Sequence, residues 1–198
     1  WVYPLMRAYW ATEDERYVVK FWEMFEHWRH QNPPNQGIHW KCGQEIAIRS
    51  IALAFAFHGF KKAKSTTPEK LASIKAVINE SMCRIAINLS YAFSQKNNHG
   101  ISEASVLFFI GMLFPNYSHA ASWRKLGAEG LCSQLEELVY EDGSFSQHSL
   151  NYHRVMLHMI NLVLVVGSRT EHHLPKKIVV AHSRATKNML EIVNARSG

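Results

Sequence analysis

Cysteine is scarce in this sequence, and none of it falls in a pairing or metal-binding pattern. Only three of the 198 residues are cysteine, Cys42, Cys83 and Cys132, and they lie far apart. The odd count argues against a disulfide framework, and the lack of a CxxC pair argues against a zinc site. We therefore expect buried free thiols, and the residues suggest neither a bound metal nor a cofactor.

Long apolar runs and alternating strands are also missing. The apolar run 155–167 is short and contains His158 and Asn161, whereas a membrane span needs roughly 20 residues. No segment alternates apolar and polar residues as a half-buried strand does. No repeat of fixed period, which would indicate a solenoid, is present. No signal peptide is recognisable at the first residues. We expect one helical domain over residues 1–198, without a membrane span.

Acidic residues are outnumbered by basic ones. The formal net charge is +6 at pH 7, from 22 Lys and Arg against 16 Asp and Glu. This balance favours anionic partners, and on charge alone nucleic acid, acidic lipid and acidic polysaccharide all remain open. Because no recognised nucleic-acid-binding motif is present, we do not expect a nucleic-acid partner. The oligomeric state is not encoded in these features.

Helical periodicity fills most of the chain. Leu71, Ile74, Ile78, Ile85 and Leu89 recur at helical spacing, after a Thr67-Pro68 pair that is typical of a helix start. Similar patterns predict seven helices in all, near residues 13–30, 44–59, 67–93, 102–114, 118–140, 150–168 and 176–192. The short turns between them favour antiparallel hairpins, and the predicted fold class is all-α.

The first of three polar segments runs from Asn32 to Trp40 and leads into Glu45 and Arg49. Glu45 and Arg49 are four residues apart, so they share a helix face and can form an ion pair. Alternatively, Arg49 is a polar wall of a cleft. Trp40 would then be a flat platform for the C–H face of a sugar.

The second segment, 97–103, leads into the apolar part, 104–114, of the helix predicted at 102–114. A helix N-terminus presents free N–H groups and the positive end of its dipole, so it favours an anion. Asn98 and His99 can both donate hydrogen bonds there, and Glu103 follows at the start of the helix. The alternative is that Asn98 only caps the helix, while Gly100 permits the turn.

The third segment runs from Asp142 to Arg154. Asp142-Gly143 predicts a turn, and Ser149 predicts the start of a helix. Tyr152, His153 and Arg154 would then occupy the first helical turn. A tyrosine can serve as a general acid if a cation lowers its pKa from about 10; alternatively, Tyr152 is a half-buried packing residue.

In their order and spacing, the three segments together resemble the heparinase II/III-like and alginate lyase families of (α/α) toroid polysaccharide lyases. The matching residues are Asn-Pro-Pro, Gly-Ile-His-Trp and Glu-Ile-Ala-Ile-Arg in the first segment. They are Asn-Asn-His-Gly and Glu in the second, and Asp-Gly-Ser-Phe, Gln, Ser and Tyr-His in the third. The resemblance covers about Leu5 to Ile192, and implies antiparallel hairpins forming a partial (α/α) toroid.

The resemblance also implies an activity, β-elimination on a polysaccharide that contains uronic acid. By this analogy Asn98 and His99 neutralise the uronate carboxylate, and Tyr152 protonates the departing glycosidic oxygen. The remaining candidate residues are expected to contact substrate: Trp40, Glu45, Arg49, Glu103, Gln147, Ser149, His153 and Arg154. Arg49 and Arg154 would bind carboxylate or sulfate groups. The implied setting is a bacterial periplasm or the exterior of the cell, with the cytoplasm as the alternative.

One part of the family pattern has no counterpart in the sequence. Such lyases normally continue into a C-terminal β-sandwich domain that supplies a further catalytic Tyr or His. We therefore expect a toroid fragment with part of an active site, inactive when isolated. Two rival functions remain: an inverting glycoside hydrolase using Glu103 and Asp142, with carboxyls roughly 6.5–9.5 Å apart, and a non-catalytic polysaccharide-binding protein.

Overall fold

The computed structural model describes residues 1–170, 172 and 174–193, and helices make up most of that range. Across it no strand forms, and only an isolated bridge joins Val139 to Phe145. The predicted all-α class is therefore confirmed. Within the same range no helix has both the length and the apolar character to cross a membrane. The elements are α1 (Val2–Thr12), α2 (Glu15–Gln31), a 3₁₀ turn (Ile38–Trp40), α3 (Gly43–Phe60), α4 (Pro68–Ser94), α5 (Asn98–Leu113), α6 (Ala120–Leu138), α7 (Leu150–Gly167) and α8 (Lys176–Ile192).

The structure adds one helix to those predicted from the sequence and begins another four residues earlier. Helix α1 was not predicted, although Pro4 in its first turn is compatible with a helix because an N–H there has no intrahelical partner. Helix α5 begins at Asn98 rather than at residue 102, because the side chain of Asn97 caps it. Thr67 behaves as predicted: its Oγ1 accepts a hydrogen bond from the Lys70 N–H at 3.4 Å. The cysteines are free, but they are half-buried rather than buried.

The chain packs as two compact units, residues 1–84 and the residues from Ile85 onwards. The first unit has an aromatic core, in which Phe21 lies 4.8 Å from Phe60 and 5.0 Å from Trp22 between ring centroids. The carboxylate of Glu15 accepts the N–H groups of Lys64 and Ser65 at 2.9 and 3.0 Å. This contact fixes the loop after α3 against the start of α2.

The second unit is built around α5, which is buried along its whole length except at His99 and Leu113. Helix α6 packs against it closely, because a Cβ on Gly127 would lie 2.5 Å from the Phe108 nitrogen and 2.6 Å from the Ala104 oxygen. Gly111 near the end of α5 faces Ala120 at the start of α6. The two helices are therefore antiparallel, as the short connection predicts.

The connection from α6 to α7 is a structured loop. Gly143 has a φ of 83°, which favours glycine, and its Cα lies against the backbone oxygen of Arg184. Asp142 Oδ1 accepts hydrogen bonds from the N–H and the hydroxyl of Ser144, which confirms the predicted turn. Ser149 precedes α7 as its N-cap residue, although its hydroxyl makes no capping bond. This loop brings Gln147 to the start of α5.

Candidate active site

Two adjacent asparagines at the start of α5 have different environments. Asn97 caps the helix, since its Oδ1 accepts the His99 N–H at 2.9 Å. Asn98 is only 2% exposed, and its Nδ2 has no hydrogen-bond partner among the described residues. The alternative in which Asn98 is merely the cap is therefore wrong. An amide donor remains at the positive end of the helix dipole, where an anion is favoured.

Asn98 joins the second polar segment to the third. Its backbone N–H donates to Gln147 Oε1 at 2.9 Å, across 49 positions of sequence. The first N–H groups of a helix have no partner within the helix, so Gln147 satisfies one that would otherwise be free. Because Oε1 is the acceptor, the orientation of the Gln147 amide is set. Its NH₂ group is therefore on the side away from the Asn98 N–H.

His99 follows Asn98 in the first turn of α5 and is half-buried. Burial lowers the pKa of its imidazole below the usual 6.5, since the interior disfavours the charged form. The ring is therefore neutral at pH 7. In that state it can donate one hydrogen bond and accept another, so it does not by itself supply a positive charge.

Glu103 lies one turn further along α5 and is 3% exposed. Burial raises the pKa of its carboxyl to about 7. No basic group in the described part of the chain forms a salt bridge with it, so part of the population is a neutral acid at pH 7. A protonated carboxyl would add a further donor to this region without adding negative charge.

The three candidate residues in the first turn of α7 have different environments. Tyr152 is 44% exposed, and no hydrogen bond joins its hydroxyl to the described part of the chain. Arg154 is exposed and donates to Asn151 Oδ1 at 3.3 Å. His153 is buried, and its Nε2 lies 3.0 Å from the Ala185 oxygen. The geometry thus gives His153 a contact with α8 rather than an open binding position.

The candidate residues of the first segment form a separate cluster in the first unit. Trp40 is 1% exposed and its Nε1 donates to the Asn32 oxygen at 3.2 Å. With its ring covered, Trp40 does not offer the sugar platform expected of it. The Arg49 guanidinium carbon lies 5.2 Å from the centre of the Trp40 ring. Glu45 is exposed and makes no direct salt bridge to Arg49, so the expected ion pair does not form.

Three residues near these clusters were missed in the sequence. Trp28 also packs against Arg49, with its ring centre 4.8 Å from the guanidinium carbon, and is partly exposed. Asn97 was not recognised as the cap, although an asparagine before an apolar helix is a known capping signal. Gln134 is buried against Gly100, and its Oε1 has no hydrogen-bond partner within the described ranges. No sequence signal marks Gln134, because its place depends on how α6 packs against α5.

Comparison with known proteins gives one family and a consistent set of relatives. A family model described as "Heparinase II/III N-terminus" matches residues 1–195. A heparin-sulfate lyase from Bacteroides thetaiotaomicron is 26% identical over 158 residues, covering 77% of this chain and 22% of the relative. A heparin-sulfate lyase from Pedobacter heparinus is 26% identical over 195 residues, covering 96% of this chain and 28% of the relative.

Solved structures agree on the fold. A crystal structure of heparinase III superposes with a TM-score of 0.83 at 23% identity, covering 94% of this chain and 29% of that one. The heparan sulfate lyase HepC from Pedobacter heparinus gives 0.76 at 22% identity, over 98% of this chain and 31% of that one. The chain therefore spans less than a third of the length of these relatives, and it shares the helical fold of their matching part.

Proposed function

We propose that this chain, which belongs to the heparinase II/III N-terminus family, contributes to a lyase that cleaves uronic-acid-containing polysaccharide by β-elimination. The proposal rests on the hydrogen-bonding geometry at the start of α5. Asn98 there has an unpartnered, buried amide donor, and the side chain of Gln147 holds its backbone. Donors set in advance at a helix N-terminus suit a reaction that builds negative charge on a carboxylate.

The reaction has one chemical difficulty, the weak acidity of the C5 proton beside the uronate carboxylate. A base takes that proton, a double bond forms between C4 and C5, and the bond from C4 to the glycosidic oxygen breaks. Negative charge accumulates on the carboxylate in the transition state. The Asn98 amide and the start of α5 stabilise this charge, because hydrogen bonds to a developing anion strengthen as it forms.

Tyr152 is the proposed donor of the proton that the departing glycosidic oxygen receives. It lies five positions after Gln147 in the first turn of α7 and has an exposed side chain. Its hydroxyl is not used in a hydrogen bond within the described residues, so it is available to substrate. Neutral His99 would assist Asn98 by donating one hydrogen bond to the carboxylate. The base is expected from the C-terminal domain typical of these lyases.

The proposed substrate class is a sulfated or unsulfated glycosaminoglycan of the heparan type. The relatives named above are heparin-sulfate and heparan sulfate lyases, and the basic net charge of +6 suits an acidic polymer. A bacterial enzyme acting on such a polymer is proposed to work in the periplasm or outside the cell. Fractionation of the source cells, with the protein found only in the cytoplasm, would contradict that location.

The hydrolase alternative receives less support from the carboxylates. Hydrolysis with inversion needs one carboxylic acid and one carboxylate that can activate water. Asp142 Oδ1 is already engaged by two hydrogen bonds from Ser144 inside its own turn. These bonds hold Asp142 within its own turn, which does not favour it as the carboxylate that activates water.

A panel of polysaccharides tests the proposal on the full-length protein. Heparan sulfate, heparin, hyaluronan, alginate and a neutral glucan are incubated separately, and ultraviolet absorbance of the unsaturated uronide is followed beside new reducing ends. We expect both signals to rise together on heparan sulfate. Reducing ends without that absorbance would select hydrolysis, and binding without either signal would select a non-catalytic role.

A further inference from the structure

The first unit contains a positively charged side chain that packs against two tryptophan rings. The guanidinium carbon of Arg49 lies 4.8 Å from the centre of the Trp28 ring and 5.2 Å from that of Trp40. Indole faces attract a cation, and a guanidinium also stacks on them as a flat group. Arg49 is thus held in one orientation. We call Trp28, Arg49 and Trp40 the arginine clamp.

The hydrogen-bonding capacity of Arg49 is not used within the described residues. Its Nε and Nη2 are covered and have no partner in the part of the chain that the structure describes, and no carboxylate in that part forms a salt bridge with it. The nearby charge of Glu45 raises the pKa of Arg49, but burial lowers it by more. A partly buried cation without a paired anion is unfavourable unless a partner is supplied. Most buried donors in proteins do have one.

A cavity of about 220 Å³ lies beside the clamp. Arg49 and Trp28 line it with Tyr3 and several apolar side chains, Phe25, Ala52 and Leu53 among them. A water molecule takes up roughly 30 Å³ in the liquid, so the space admits one small polyatomic anion or one substituent of a sugar. The hydroxyl of Tyr3, another lining residue, makes no hydrogen bond to the described residues and so remains free to donate.

From these contacts we propose that the arginine clamp is an anion-binding site, which takes a sulfate or carboxylate group of an acidic saccharide into the cavity beside Trp28. The guanidinium supplies charge and directed N–H donors. The indole of Trp28, which is partly exposed, supplies an apolar face for the attached sugar. The choice of an acidic saccharide as ligand rests on the proposed function; the anion site itself rests on Arg49 and its surroundings.

Binding of heparan-derived disaccharides to the full-length protein tests the proposal without any turnover. Titration calorimetry is carried out on the wild type and on Arg49→Met, which keeps an unbranched apolar chain beside the two indoles. Arg29→Met is the matched control, because it removes one positive charge from the same unit, and Arg29 already pairs with Glu26 at 2.6 Å. We expect Arg49→Met to weaken binding at least about tenfold, as a lost hydrogen bond to a charged group does, and Arg29→Met to change it little.

Three ligands identify the group that is bound. Sulfated, desulfated and carboxyl-reduced disaccharides are compared. If the clamp binds one of these groups, the disaccharide that lacks that group should bind equally well to Arg49→Met and to the wild type. Arg49→Lys keeps the charge but loses the planar fork, so it should recover part of the affinity. Equal binding of all three ligands to Arg49→Met and Arg29→Met, with a lower Tm for Arg49→Met, would make the clamp a packing feature and overturn the proposal.

The outcome is separable from that of the proposed function. Loss of binding in Arg49→Met with no unsaturated uronide from any polysaccharide would sustain the anion site and reject the lyase. Lyase activity in the wild type, together with unchanged disaccharide binding by Arg49→Met, would sustain the lyase and reject the anion site. Circular dichroism of each variant ensures that a change in binding is not a change in folding.

Discussion

Among single residues, Tyr152 has the most direct test, because one oxygen atom separates it from phenylalanine. The Tyr152→Phe change removes a hydroxyl that makes no hydrogen bond within the described residues, so stability should be almost unchanged. Proton transfer by a positioned side chain contributes about 10²–10⁴-fold to a rate. We therefore expect kcat on heparan sulfate to fall at least about 100-fold with a similar KM.

Tyr140→Phe is the control for that change, since Tyr140 is another exposed tyrosine in the same unit. Its kcat should match the wild type. The kcat of each variant is measured by steady-state kinetics, with the product followed by its ultraviolet absorbance. Normal turnover by Tyr152→Phe would remove this residue from the mechanism.

Gln147 is expected to act through Asn98. The Gln147→Ala change leaves the Asn98 N–H without its acceptor, which should cost about 1 kcal/mol of stability. Small misplacements of a catalytic group can cost up to about 100-fold in rate, and we expect kcat to fall by about tenfold with a smaller change in KM. Exposed Gln36→Ala is the control and should be neutral.

Gln147→Glu separates positioning from charge. The carboxylate can still accept the Asn98 N–H, so stability should be retained, but its charge repels the substrate carboxylate and should raise KM. Urea unfolding and steady-state kinetics measure the two effects. If Gln147→Ala has a normal kcat, Gln147 does not position Asn98.

Glu103 should give the stability of the protein a distinctive pH dependence. Burial raises its pKa from 4.5 to about 7, so between these values the folded state binds more protons than the unfolded chain. The free energy of unfolding therefore falls as pH rises through that interval and levels off above about 7. Glu103 contributes up to about 3 kcal/mol to this fall.

Glu103→Gln is uncharged throughout and lacks this contribution. Because His99 and His153 have lowered pKa values and titrate with the opposite sign, the quantity to follow is the difference between variant and wild type. Urea unfolding at pH 5, 6, 7 and 8 should show that difference shifting in favour of the variant as pH rises. A difference independent of pH would mean that the Glu103 carboxyl titrates normally.

At the scale of elements, the contact between α5 and α6 depends on Gly127. A Cβ there would fall within 2.6 Å of backbone atoms of α5, and backbone cannot move aside as a flexible side chain can. Overpacking of this kind costs about 1–3 kcal/mol or more, so Gly127→Ala should lower Tm clearly, even though alanine is the better helix former. Ser122→Ala, at an exposed position of α6, should leave Tm nearly unchanged in the same thermal scan. A stable Gly127→Ala would mean that the helices can separate without penalty.

Helices could be predicted from this sequence more readily than contacts could. The spacing of Leu71, Ile74 and Ile78 predicts α4, because one apolar face is a local property of the chain. The sequence predicts the start of α5 four residues late, because Gly100 suggests a turn and the cap that begins the helix is Asn97. The bond between Asn98 and Gln147 could not be predicted, as it depends on how the loop before α7 meets α5.

At the scale of the chain as a whole, its basic net charge of +6 predicts that the proposed binding of an acidic polymer responds to salt. Attraction between exposed charges and an acidic polymer is screened over about 10 Å at 0.1 M salt and about 3 Å at 1 M. KM for heparan sulfate should therefore rise several-fold between these conditions while kcat changes less. Sucrose at equal osmolality is the control. A KM independent of salt would indicate that charge does not drive the association.

Burial of α5 along almost its whole length has a consequence for how the proposed activity would be lost on heating. Loops and helix ends commonly open on their own, while buried elements open only with the cooperative unit around them. Asn98 begins α5, which is such a buried element. Amide hydrogens in the body of α5 should thus be among the slowest to exchange. Inactivation by heat should follow the melting of the second unit rather than precede it.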